Sequence, residues 1–271
     1  MASVNLEFTA PQAATGTQTK LWRQIDDTIK SVVDTINHEF QIPANIKLVI
    51  GGNPKKPKDK YSADKSTYYD PYTQTIAIPH NFVSDVLQFY SANYYGESAQ
   101  AKAHFVGNAM THMLYHELGY ALIDILDLPI VGNEENIVDG FATLMLISLH
   151  QKSHERVVSA ADLYWFVEDS HEDVLGQKSS QRNSFNSQRA HQILCLLYGS
   201  SPKDYKALSG DLGVDNKQMA SCQTHFLKLQ RNWLRLLKPS LKKGGQLYQV
   251  FSKIEKNNPE VLTKKEIRKT Q

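Results

Sequence analysis

The sequence predicts an α+β domain. Two short strand-like segments sit early in the chain, a nearly unbroken series of helical patterns begins at about residue 98, and no unit of 20–50 residues repeats. The 271 residues are 41% hydrophobic and 21% charged, enough to bury one large core or two small ones. A formal net charge of +2 excludes a dedicated nucleic-acid or membrane-surface binder. No apolar run reaches the roughly 18 residues that a membrane span needs.

The elements follow in order. Leu21, Ile25, Ile29, Val32, Val33 and Ile36 recur at helical spacing, so residues 18–39 read as an amphipathic helix. Ile46 to Ile50 is an apolar run closed by Gly51 and Gly52, a strand signal. Asn53 to Lys65 is rich in Lys, Pro and Asp and reads as an exposed loop. Gln74 to Ile78 alternates and stops at Pro79, which suits an edge strand. A cluster of tyrosines around it (Tyr61, Tyr68, Tyr69, Tyr72, Tyr90, Tyr94 and Tyr95) reads as aromatic packing about that edge, the alternative being the lining of a cleft. Residues 100–127 form a long helix that must end before Pro129. Asn133 is an N-cap with Glu134 and Glu135 in the first turn, and the helix it starts runs to about residue 150. Further helices fit 158–169, 186–198 and 216–237. This divides the chain into an N-terminal stretch at 1–17 that is disordered or processed, a domain at 18–240, and a basic tail at 241–271. The tail, counted from Ser240, carries eight Lys/Arg against three Glu and reads as a solvated helix with a frayed end.

Chemistry concentrates at Tyr115-His116-Glu117-Leu118-Gly119-Tyr120. In the H-E-x-x-H motif, residues i and i+4 share a helix face, so two imidazoles reach one metal while the glutamate takes a proton from a water. His116 and Glu117 fit the first two roles, and Tyr120 occupies the second histidine position. One turn earlier, His112 extends the stripe and offers an i, i+4 pair with His116; the alternative is a helix-packing histidine. Downstream, Glu135 to Ala142 reads Glu-Asn-Ile-Val-Asp-Gly-Phe-Ala, which is similar to the glutamate helix of gluzincin metallopeptidases. Glu135 would be the third ligand and Asp139, one turn on, the group that orients a ligand from behind.

The order His-Glu-Leu-Gly, Leu-Pro-x-x-Gly-x-Glu-Glu, Gln188-Arg189, Cys195, Leu197-Tyr198-Gly199-Ser200, Cys222 and Trp233 resembles a bacterial family of zinc metallopeptidases catalogued as a domain of unknown function. The resemblance covers roughly residues 20–240. It implies a zincin-like fold with a small sheet packed on the helix of His116, a zinc cofactor, and a peptide or protein substrate that adds to an edge strand, for which Gln74 to Ile78 is the candidate. On composition alone Cys195 and Cys222 are either paired or two free thiols; the resemblance implies a disulfide and an exported, periplasmic or secreted protein. The opening stretch lacks the apolar core of a signal peptide, which leaves a removed signal or a cytoplasmic protein.

Two positions depart from the family pattern. Tyr120 offers a phenol with a reference pKa near 10 where an imidazole belongs. Ahead of Gln188-Arg189, where the family shows a histidine able to steady an oxyanion, an ungapped alignment places Asn183; His171 lies twelve residues earlier and would serve only across a longer loop. Two readings result: a weakened metallopeptidase with Glu117 as base, or a pseudopeptidase that binds peptide or protein without metal. Arg189 and Tyr198 read as residues that hold helices together.

Overall fold

The structure, a computed structural model, describes residues 2–8, 17–51, 67–94, 96–175, 180–208 and 216–257. It is an α+β arrangement with a four-stranded sheet at one end and a helical body behind it. The strands are β1 (Val4–Phe8), β2 (Ile46–Ile50), β3 (Tyr68–Asp70) and β4 (Thr75–Ile78), in the order β1-β2-β4-β3. The first three in that order run parallel, and β3 pairs antiparallel to β4. Along β2 the buried Ile46, Leu48 and Ile50 alternate with Lys47 and Val49, the period of a half-buried strand.

Helix α1 (Thr17–Glu39) joins β1 to β2 and buries the stripe of Ile25, Ile29, Val32, Val33 and Ile36 read from the sequence. Helices α2 (His80–Asn93) and α3 (Ala99–Ile125) follow the sheet. α3 is the centre of the molecule: from Ala109 to Gly119 every residue is buried, so polar groups on any face of it must find partners inside the protein. Ser98 caps its start by accepting the Ala101 N–H at 3.1 Å. At its end Asp127 takes a positive φ of 47°, and the Leu128 N–H returns to the Ile123 carbonyl before Pro129 leads away. Asn133 caps α4 (Glu134–Leu149), accepting the Asn136 N–H at 3.1 Å. The body is completed by α5 (Ser153–Leu175), α6 (Ser180–Ser200), α7 (Asn216–Leu237) and α8 (Gln246–Asn257).

Four expectations need correction. Residues 4–8 are not outside the domain, because β1 pairs along its whole length with β2. The first part of the basic tail is not a solvated helix: Leu247 and Phe251 of α8 are buried in the core. The strand at 75–78 is not an edge, since β2 and β3 flank it on both sides, and β3 is the edge on that side. Tyr61 and Tyr95 lie outside the described residues, and the other tyrosines do not gather about that edge as one group. Tyr90 and Tyr94 belong to α2 and its end and stack on Phe105 of α3, with the Tyr90 hydroxyl donating to the Ser159 carbonyl and that of Tyr94 to Asp162. α2 escaped the sequence reading because Pro79 precedes it with no side-chain cap and its aromatics mimic strand composition.

A disulfide joins Cys195 to Cys222, tying α6 to α7. Beside it Gly199 lets the two helices touch, since a Cβ there would meet the Cys222 carbonyl oxygen at 2.3 Å. No helix among the described residues is long and apolar enough to cross a membrane.

Candidate active site

His116 lies in the second half of α3, almost fully buried, with its ring facing Glu135 and Asp139 of α4. Its Nδ1 lies 2.8 Å from Oδ1 of Asp139. In the neutral ring a hydrogen bond at that length places the proton on Nδ1 and leaves the lone pair of Nε2 able to bind a metal. That Nε2 lies 3.6 Å from Oε2 of Glu135. The separation is too long for a hydrogen bond. It is close to the roughly 3.3–3.5 Å expected between two ligands of one tetrahedral zinc at ordinary ligand distances. Glu135 and Asp139 are one turn apart on α4, which is why both carboxylates face the same imidazole.

Asp139 is the hub of the site. Its Oδ1 accepts from His116, from the Tyr164 hydroxyl at 2.6 Å and from Nη2 of Arg189 at 2.9 Å, while Oδ2 accepts from Nε of Arg189 at 2.6 Å. Burial pushes the Asp139 pKa up, but the His112 ring 3.8 Å away and the bonds from His116 and Arg189 outweigh it and hold the carboxyl well below the usual range. For His116 the balance is similar: burial lowers its pKa, and the Asp139 hydrogen bond and charge raise it past the ordinary value.

His112 is fully buried, with Nε2 3.2 Å from the Tyr164 hydroxyl. That hydroxyl gives its own proton to Asp139, so Nε2 of His112 is the donor of the pair. Its Nδ1 has no hydrogen-bond partner among the described residues. His112, His116 and Asp139 together form a cluster with metal-ligand chemistry, their ligating atoms within 4.8 Å of one another. Within this metal-site region the Asp139 oxygens are already saturated by four bonds, whereas Nε2 of His116 is the free nitrogen that faces a second carboxylate.

Glu117 is buried, and Oε1 accepts a 2.6 Å hydrogen bond from Thr67 at the start of β3. Burial raises its pKa, opposed by the charge of His116 and the Thr67 bond. A carboxyl of raised basicity beside the metal-site region is suited to accept and return a proton. Tyr120, one turn past His116, donates its hydroxyl to Oε1 of Glu135 at 2.8 Å. Burial and the Glu135 charge both raise its pKa, so the phenol is held neutral. Arg189 completes the ring with Nη2 3.0 Å from Oε2 of Glu135. The guanidinium pairs with Glu135 and Asp139, and the Glu117 carboxyl lies within reach of its charge, so three acidic groups face one fixed cation. The surplus negative charge suits a bound cation.

The structure brings together His112, His116, Glu117, Tyr120, Glu135 and Asp139, six residues singled out by sequence. The side chains of His171 and Asn183 lie outside those described. Three residues of the cluster were missed or underrated. Arg189 reads from sequence as a residue holding helices together, although its place in the Gln188-Arg189 pair was a usable signal. Tyr164 and Thr67 carry no motif; only the packing of α5 and β3 against α3 brings them in.

No curated protein and no solved structure matches the chain. Residues 9–237 match a family of unknown-function domains described as "Putative metallopeptidase". That span includes the His-Glu segment, the glutamate helix and both cysteines, and on it the chain belongs to this metallopeptidase family.

Proposed function

We propose that this protein is a zinc-dependent metallopeptidase-like hydrolase whose activity is weakened by Tyr120. The observation that carries the reading is the 3.6 Å approach of His116 Nε2 and Glu135 Oε2 from two separate helices, with the buried Glu117 carboxylate on the next residue. His116 and Glu135 would hold the metal, with the Tyr120 hydroxyl in the third position, and Asp139 would orient His116 through Nδ1. When bound, zinc supplies Lewis acidity toward a water and the scissile carbonyl. Glu117 would take the proton of the attacking water and deliver it to the leaving amine. Asn183 or His171 would steady the oxyanion. The neutral phenol of Tyr120 is a poorer ligand than imidazole, and this is the source of the weakened activity.

The substrate would be a peptide or protein, aligned by backbone pairing with the edge strand β3. Residues 18–240, with β1 and α8 docked on them, would make the peptidase-like domain. The disulfide supports a periplasmic or secreted location, since such bonds are rare in reducing compartments. One observation favours a second reading, a pseudopeptidase that binds peptide without metal. Both Glu135 oxygens are engaged by the protein itself, one by Tyr120 and the other by Arg189.

Metal analysis separates the two. Purified wild type, Tyr120→His and Glu117→Gln are assayed for bound zinc and for cleavage of unstructured casein. The hydrolase reading expects zinc in wild type, faster cleavage by Tyr120→His and none by Glu117→Gln. Zinc and cleavage confined to Tyr120→His would establish the pseudopeptidase.

A further inference from the structure

A groove of about 770 Å³ opens where the loop after α3 meets α4, α6 and α7. Its apolar wall comprises Ile130, Val131, Ile137, Leu229, Trp233 and Leu236. Trp233 forms a buried part of this wall, its ring 4.8 Å from Phe141. Val131 stands at the rim and is 93% exposed, an aliphatic side chain placed where water would be displaced by any apolar ligand. The helices beneath the groove are closely packed, because a Cβ on Gly140 would meet Leu229 at 2.6 Å.

Two features tie the groove to the candidate active site. Asn136 and Ile137 in its wall are the residues that directly follow Glu135 on α4, and Gln192 on α6 is one turn from Arg189. Successive helix residues point about 100° apart, so an extended peptide, advancing about 3.3 Å per residue, would round the N-terminal turn of α4 to pass from Glu135 to this wall. The groove also has a charge: the ammonium of Lys228 lines it, and no aspartate or glutamate does among the described residues.

We infer that this groove binds the flanking part of the peptide substrate, and that it selects segments in which aliphatic and acidic residues are neighbours. The inference rests on the peptidase reading above and adds the substrate class. Aliphatic side chains fill the wall between α4 and α7, and the acidic groups meet Lys228 at the rim.

The test uses the full chain and fluorescein-labelled Gly/Ser decapeptides carrying Leu-Ser-Leu followed by Glu-Glu, by Lys-Lys or by Ser-Ser. Binding is read by anisotropy and cleavage by mass spectrometry, for wild type, Ile137→Asp and Lys228→Glu; circular dichroism and zinc content serve as controls. The expected result is that the Glu-Glu peptide binds at least tenfold tighter than the Lys-Lys peptide. Lys228→Glu, a change at an exposed position, should reverse that preference, and Ile137→Asp should weaken all three peptides. Equal binding of the three peptides, or binding indifferent to both substitutions, overturns the groove. Zinc-dependent casein cleavage alongside that indifference leaves the peptidase reading standing. Selective binding by a protein that holds no zinc and cleaves nothing supports the groove and overturns the peptidase reading. A dimer seen by sedimentation that dissociates in Val131→Asp would make a second copy the occupant and overturn the peptide inference.

Discussion

The carboxylate of Glu39, at the end of α1, accepts the backbone N–H of Leu247 at 2.8 Å across 208 residues of chain. Its other oxygen accepts the Gln246 N–H at 2.9 Å, so one buried side chain caps the start of α8 and closes the domain. An anion is favourable there because the first N–H groups of a helix have no internal partner. Glu39→Ala removes both acceptors and is expected to cost about 2–4 kcal/mol, read as a lower urea midpoint. Glu39→Gln keeps one acceptor and should cost less.

Gly119 controls how closely α3 approaches α4 beneath the candidate site. A Cβ there would stand 3.0 Å from Val138 and 3.1 Å from Phe141. Gly119→Ala should therefore push the helices apart by tenths of an ångström, at a cost of about 1–3 kcal/mol. Because His116 and Glu135 lie on those two helices, the proposed zinc site should weaken as well. Thermal unfolding and chelator competition on the same sample would show whether the two effects travel together.

His150 gives a pH-dependent contribution to stability. Its Nε2 meets the Tyr115 hydroxyl at 2.9 Å, and burial, helped by the Arg156 charge, pushes its pKa down to about 4. The unfolded chain protonates near 6.5, before the folded one does. The contribution is therefore complete above that value and is lost as pH falls from 6.5 toward 4, by at most about 3 kcal/mol. His116 and Glu117, whose pKa values are raised, act in the opposite sense, so the comparison must be made against a variant. His150→Gln should flatten the fall in denaturation midpoint between pH 7 and pH 4 relative to wild type.

The Cys195–Cys222 bond closes a loop with a sequence separation of 27 residues. Chain entropy assigns such a crosslink about 3.5 kcal/mol. Reduction, or the double change to serine, should lower the thermal midpoint by several degrees. Gly199 should then become more tolerant of alanine, because α6 and α7 are no longer held in contact beside it.

Local chemistry was legible from the residues alone. The stripe of α1, the cap at Asn133, the stop before Pro129 and the face shared by His116 and Tyr120 are set by spacing of a few residues, which a helix converts directly into direction. Glu135 and Asp139 were readable through the resemblance of their segment to a gluzincin glutamate helix, with one helical turn between them giving both the same direction. β1 was not, because five residues of strand mean nothing until β2 offers them a partner.

What only the tertiary structure decided is the set of contacts made across the chain. Which strand is the edge depends on β3, which follows β2 and pairs on the far side of β4. Thr67 on Glu117, Tyr164 and Arg189 on Asp139, and Glu39 on α8 bring together residues 25 to 208 positions apart. Such bonds obey no local period. They form because a helix buried along most of its length, as α3 is, leaves its polar groups no water to bond, and the packing of distant elements must satisfy them.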